Sequence, residues 1–190
     1  MDLLKERVLL EGKIVDGDVL QVSSFLNHMI DTRLVHEIGK EFANIFSACH
    51  PSKIVTIEAS GISIAAYCAL ELQIPFIIAK KRSATNLTGD VYSTEVFSFT
   101  KRTTSNIRIS KEFLTKNDKV LIIDDFLAAG GAVEGLMRII NEAKAVLVGV
   151  GICIEKSFLR GASNLLSQGV NLHSLVRIES MENGVIKLLP

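Results

Sequence analysis

From residue 53 onward, short unbroken apolar runs alternate with segments whose apolar positions recur every three or four residues. The runs at 54–57, 75–79, 120–123 and 145–154 read as buried strands. The last is almost without polar interruption, which predicts a central strand covered on both faces. The segments 62–72, 132–143 and 157–167 have helical spacing. This alternation predicts an α/β domain. A further β-like run follows at 172–178, and Glu182-Asn183-Gly184 supplies hairpin-turn chemistry ahead of residues 185–188.

The first fifty residues lack that rhythm. Residues 2–11 predict a short helix with Leu3, Leu4, Val8 and Leu9 on one stripe and Gly12 ending it. Asp16-Gly17-Asp18 is turn-prone, and 23–30 is ambiguous. Asp31 reads as the N-cap of a helix whose apolar positions run from Leu34 to Phe46, with Pro51 beyond it. Between Arg82 and Lys116 the rhythm stops again. Residues 91–100 and 105–110 are β-rich and polar, with Lys101-Arg102-Thr103-Thr104 as a hairpin tip. Such an insertion in a regular α/β core predicts a mobile lid over about 83–110.

The 190 residues suit one domain. Lys plus Arg and Asp plus Glu are equal at 21 each, which leaves no overall basic footprint for nucleic acid or an anionic membrane. Cys49, Cys68 and Cys153 are odd in number and set in apolar context, so reduced core thiols of a cytoplasmic protein are expected. No signal-peptide core or membrane-length apolar run is visible. The four histidines show no metal-ligand spacing and read as surface residues.

The chemistry concentrates in Val120-Leu121-Ile122-Ile123-Asp124-Asp125-Phe126-Leu127-Ala128-Ala129-Gly130-Gly131-Ala132. A buried strand is read as ending in two acids, followed by a loop almost without side-chain bulk and then a helix. Loop amides and a helix N-terminus can face a phosphate while the carboxylates accept hydrogen bonds from sugar hydroxyls. This is neither a P-loop, since Gly-Lys-Ser/Thr is missing, nor a G-x-G-x-x-G dinucleotide fingerprint.

Apolar residues, two acids and a small-residue loop resemble the PRPP-binding motif of the type I phosphoribosyltransferases. Glu58-Ala59-Ser60-Gly61 is similar to that family's pyrophosphate loop, Lys80-Lys81-Arg82 sits where its second core strand ends, and 83–110 falls where its flexible loop lies. Within the family the chain most resembles the bacterial xanthine-using branch, in Val55-Thr56-Ile57-Glu58-Ala59-Ser60-Gly61-Ile62, Ser98-Phe99-Thr100-Lys101, Ile154-Glu155-Lys156-Ser157-Phe158 and Arg177-Ile178-Glu179-Ser180.

The resemblance implies a mainly parallel central sheet flanked by helices, an N-terminal hood over about 1–30 and the lid. It implies transfer of the 5-phosphoribosyl group from PRPP to xanthine in purine salvage, with Mg²⁺ bound along with PRPP, in a cytoplasmic homodimer. Asp124 and Asp125 then hold the ribose. Ala128, Ala129, Gly130, Gly131 and Ala132 hold the 5-phosphate, and Leu20 and Asn27 belong to the hood over the purine. Lys156 contacts the base: an ammonium has three donors and no acceptor, which suits an oxopurine carbonyl and not adenine's amino group. Lys81 is expected on the pyrophosphate. Glu58 has two readings, a metal-bound water or its own loop; Phe126 also has two, core or purine stacking. One departure stands out: Ala129 and Gly131 occupy positions where the xanthine branch carries Asn and Gln, so phosphate binding must rest on backbone amides and the helix terminus. Alternatives are another purine as acceptor (guanine, hypoxanthine or adenine) and a PRPP-sensing regulator. Those regulators carry an extra DNA-binding domain, whereas here only 53 residues precede Ile54 and they contain the expected hood.

Overall fold

The computed structural model describes residues 1–16, 19–81, 89–98 and 103–190. Gly17 and Asp18 of the first turn, Arg82, and Phe99, Thr100, Lys101 and Arg102 lie outside the described residues, as do 83–88 of the expected lid.

The strand–helix alternation becomes a mixed eight-stranded sheet. Helix α1 (Asp2–Glu11) leads into a separate antiparallel hairpin of β1 (Lys13–Val15) and β2 (Val19–Gln21). Helix α2 (Thr32–Phe46) follows, capped as expected: the Asp31 carboxylate accepts from the N–H groups of Arg33 and Leu34. Then come β3 (Lys53–Ile57), α3 (Gly61–Leu72), β4 (Phe76–Lys81), β5 (Val91–Ser98), β6 (Thr103–Ser110), β7 (Lys119–Leu127), α4 (Gly131–Glu142), β8 (Val146–Lys156), α5 (Gly161–Ser167), β9 (Leu172–Ser180) and β10 (Lys187–Leu188). The order across the sheet is β10-β9-β8-β7-β3-β4-β6-β5. Strands β9, β8, β7, β3 and β4 run parallel. The edges are antiparallel, with β10 on β9, and β6 between β4 and β5. Asn183 and Gly184 take positive φ in the turn before β10, as the hairpin chemistry requires.

Alternation along β7 builds a core on each face. Leu121 and Ile123 pack with α1, α2 and α3, whereas Val120 and Ile122 pack with α4 and α5. Helix α2 sits especially close to the sheet. A Cβ at Gly149 would lie 2.4 Å from the Phe46 ring, and one at Gly151 would lie 2.8 Å from Phe42. Two buried phenylalanines therefore rest on bare backbone, and truncating either one to Ala would cost about 3–5 kcal/mol.

Several expectations are corrected. Strand β7 does not stop at Ile123. Pairing with β8 carries it through Asp124, Asp125 and Phe126 to Leu127, so the acids lie inside a strand. Helix α1 buries Leu4 and Val8 but leaves Leu3 and Leu9 exposed, so the expected four-residue stripe is half realised. Residues 22–31, ambiguous in the sequence, form turns: Val22, Phe25 and Leu26 are fully buried anchors, and the Val22, Ser23 and Phe25 carbonyls close the loop. Of the cysteines, Cys68 and Cys153 are core thiols and Cys49 is half-buried. Burial pushes the Cys68 thiol up to about 12. The described parts of the expected lid include β5 and β6, an antiparallel pair that extends the main sheet with β5 at its edge, Lys80 and Lys81 of β4 pairing with Arg108 and Ile107 of β6. No helix among the described residues is long and apolar enough to cross a membrane.

Candidate active site

The sheet changes winding direction between β3 and β7: β4 lies on one side of that boundary, β8 and β9 on the other. In an open parallel sheet the crevice at the carboxyl ends of such strands is where ligands sit. The pairing of β7 with β3 ends at Val55–Ile122, while its pairing with β8 continues. Asp124 and Asp125 therefore stand on a strand supported from one side only, facing the gap opened by the 58–61 loop.

That gap is a cavity of about 490 Å³. It brings together Leu20 and Asn27 from the hood, Glu58 and Ser60 from the loop after β3, and Lys81 at the end of β4. Asp124, Asp125, Phe126, Ala128, Ala132 and Lys156 are the other expected residues that line it. A second cavity of about 150 Å³ adjoins it, bounded by residues 126–133 together with Lys81, Val96, Phe97 and Ser105. It takes in Ala129, Gly130 and Gly131. Two predicted residues line neither cavity: Ala59 is exposed and Gly61 is buried.

The acids are held without a full complement of counter-charge. Asp124 is 8% exposed and Asp125 7%. The Asp124 Oδ1 accepts the Asp125 N–H at 3.0 Å, and the Ser60 hydroxyl donates to Asp125. Burial pushes the Asp124 carboxyl well above the ordinary carboxylate range, and the neighbouring Asp125 charge pushes the same way; the Lys81 charge opposes them. Burial also raises Asp125, against the Ser60 hydrogen bond. Gly61 fixes the geometry from behind: a Cβ there would lie 2.2 Å from the Thr56 Oγ1 and 2.8 Å from the Asp124 Oδ1.

Glu58 orients its own loop. Its carboxylate accepts the Lys81 backbone N–H, and its Oε2 lies 3.5 Å from the Lys80 ammonium. The Glu58–Ala59 peptide bond is cis. Lys156 is 9% exposed at the end of β8, beside a carboxylate, Glu155, that accepts from the Ser157 hydroxyl at 2.5 Å. Phe126 is half-buried, packing against the core while lining both cavities.

The loop of residues 128–132 owes its shape to two glycines, the expected Gly130 and one that sequence reasoning missed, Gly161. Gly130 adopts φ +92°, open to glycine at little cost. Gly161, opening α5, packs on the loop so tightly that a Cβ would lie 2.2 Å from the Ala128 carbonyl oxygen. Its signal was a glycine at a helix start, but its partner was visible only once β7 and β8 were paired. Gln21 and Ser23 also line the larger cavity; a polar pair after a short strand carries no distinctive pattern. The hood that presents them is braced by Arg7, which donates to Asp31 at 2.7 Å and stacks 5.1 Å above Phe25.

A family model for the phosphoribosyl transferase domain matches residues 28–164. Xanthine phosphoribosyltransferase of Bacillus cereus (strain G9842) is 49% identical over 186 residues, covering 98% of this chain and 94% of that protein. The Clostridium novyi (strain NT) protein of the same name is 48% identical over 186 residues, covering 98% of each. Among solved structures, adenine phosphoribosyltransferase from Giardia lamblia, complexed with 9-deazaadenine, superposes with a TM-score of 0.77. It is 21% identical and the match covers 92% of this chain and 97% of that one, a likeness of fold.

Proposed function

The chain belongs to the phosphoribosyl transferase family, and we propose that it transfers the 5-phosphoribosyl group of PRPP to xanthine, forming xanthosine 5'-monophosphate and pyrophosphate. The observation that carries this reading is one cavity shared by the hood residues Leu20 and Asn27, the acid pair and Lys156. A base held between hood and Lys156 lies next to a ribose held by Asp124 and Asp125, with the phosphate loop beyond.

In the reaction a purine nitrogen bonds to the anomeric carbon as that carbon's bond to pyrophosphate breaks, and the nitrogen loses its proton. The ribose acquires positive charge on the way. No protein nucleophile is required, and catalysis rests on position and field. Asp124 and Asp125 accept from the ribose hydroxyls and lie beside the developing charge. Because burial raises both carboxyls, an approaching cation favours their ionised forms. Lys156 donates to an oxopurine carbonyl. The hood and the β5–β6 hairpin limit the access of water.

The donor set fits a magnesium ion that arrives with PRPP. Such an ion is satisfied by one or two carboxylates plus substrate phosphates, and the acid pair supplies oxygens on one wall. When bound, it would neutralise charge on the departing pyrophosphate. A homodimeric, cytoplasmic enzyme completes the reading; light scattering checks the assembly.

The test is incubation with PRPP, Mg²⁺ and each purine base in turn. Xanthine should give the highest kcat/KM, and Lys156→Met should reduce oxopurine use by about tenfold or more, as loss of a charged hydrogen bond implies. Equal use of every purine, unchanged by Lys156→Met, would overturn the base assignment.

A further inference from the structure

The phosphate loop poses a problem the family reading does not answer. From Ala128 to Ala132 it carries no polar side chain, yet it faces a dianionic group. The adjoining cavity of about 150 Å³ shows what stands opposite: Lys81 from β4, and Phe97 and Ser105 from the β5–β6 hairpin. Ser105 is half-buried and pairs in register with Val96. Its hydroxyl makes no hydrogen bond with any of the described residues, so a donor faces the loop across the cavity.

That wall is held firmly against the loop's own helix. Along α4, Gly131, Gly135 and Arg138 share one face. A Cβ at Gly131 would lie 2.9 Å from the Phe97 carbonyl oxygen, and one at Gly135 would lie 2.1 Å from Val96. The bare helix face therefore admits β5 at a distance no side chain would allow. Arg138 then fastens it, donating from Nε to the Thr94 hydroxyl at 3.0 Å and from Nη2 to the Glu95 carbonyl at 2.6 Å. The glycine that strips the loop of a side chain is the same glycine that brings the hairpin close.

Resting on the proposed function, we infer that Ser105 is a ligand of the 5-phosphate, its hydroxyl supplying from β6 the side-chain hydrogen bond that the loop lacks. The helix N-terminus and loop amides bind one side of the phosphate, and Ser105 closes the other. Gly131, Gly135 and Arg138 act as positioning residues for it.

The experiment compares wild type, Ser105→Ala and Ser105→Thr in steady-state kinetics, with inhibition by ribose 5-phosphate and by inorganic pyrophosphate. Ribose 5-phosphate carries the 5-phosphate alone, and pyrophosphate reports the other end of PRPP. Ser105→Ala should raise the KM for PRPP and the inhibition constant for ribose 5-phosphate by about tenfold, the loss of one hydrogen bond to a charged group. The KM for xanthine and inhibition by pyrophosphate should stay within about twofold. Ser105→Thr should restore ribose 5-phosphate binding. Unchanged constants for PRPP and ribose 5-phosphate, or a loss confined to pyrophosphate, would overturn the inference. Calorimetric titration of ribose 5-phosphate into each variant reads Ser105 even without turnover, so it fails separately from the proposed reaction.

Discussion

Aspartates stand immediately before strand β7 and near its finish, and the two positions treat them oppositely. At its start, Asp118 is nearly buried but fully answered. It accepts from the Thr115 N–H at 2.8 Å, the Thr115 hydroxyl at 3.0 Å, the Lys53 ammonium at 3.1 Å and the Ser52 hydroxyl at 3.2 Å. Burial alone would raise this carboxyl, but the Thr115 and Lys53 hydrogen bonds outweigh it and hold it below the ordinary range. Near its finish, Asp124 and Asp125 expose as little surface but lie deeper in the molecule, share mainly each other and Ser60, and are both raised, burial being the largest cause. The same side chain is thus a tie just before the strand and an unmet demand near its finish. Where the protein answers its own charge the purpose is stability; where it leaves charge unanswered, a ligand is expected to answer.

The comparison breaks most visibly at Asp125. Asp125→Asn should lower kcat by about 100-fold or more, the scale of removing a preorganised electrostatic partner, while leaving the melting temperature equal or higher. A parallel fall in both would make Asp125 another Asp118. Next comes Gly61→Ala, whose methyl group has no room between Thr56 and Asp124. We expect roughly a tenfold loss of kcat/KM from the displaced acid, and a crystal structure of the variant should show Asp124 moved. The smallest effect on turnover is expected from Asp118→Asn. Stability should fall by about 1.5–3 kcal/mol, measured by urea unfolding near neutral pH, with kcat unchanged. Because the Asp118 carboxyl is depressed in the fold, its contribution is present above the unfolded carboxyl range and lost as pH falls through the folded value. The wild type's advantage over Asp118→Asn should therefore vanish in acid.

Much of the active end was legible because its residues are contiguous. Asp124 to Leu127 finish a strand, Ala128 to Ala132 and Glu58 to Gly61 each follow one, and strand ends of a parallel sheet converge on one edge. Lys156 was placed by the same logic. What stayed hidden depends on pairing between distant segments. Strand β7 runs on to Leu127 only because β8 is there to pair with it, and the local polarity of two acids masked that. Gly161 and Ser105 reach the phosphate loop through neighbours that no single stretch reveals. Leu3 and Leu9 fit a helical stripe on paper, yet the face that docks is centred on Leu4 and Val8, with Leu10 left 74% exposed.

The most direct test of the contrast is the melting temperature of Asp124→Asn relative to wild type as a function of pH, without substrates. Asparagine keeps the oxygen that accepts from the Asp125 N–H and removes the charge. A carboxyl whose folded pKa is raised favours the fold at low pH and costs stability as pH rises through the folded value. The variant's advantage should be small near about pH 4, the unfolded carboxyl range, and grow toward about pH 8. A difference that does not change with pH, or a wild type more stable than Asp124→Asn at the alkaline end, would contradict it.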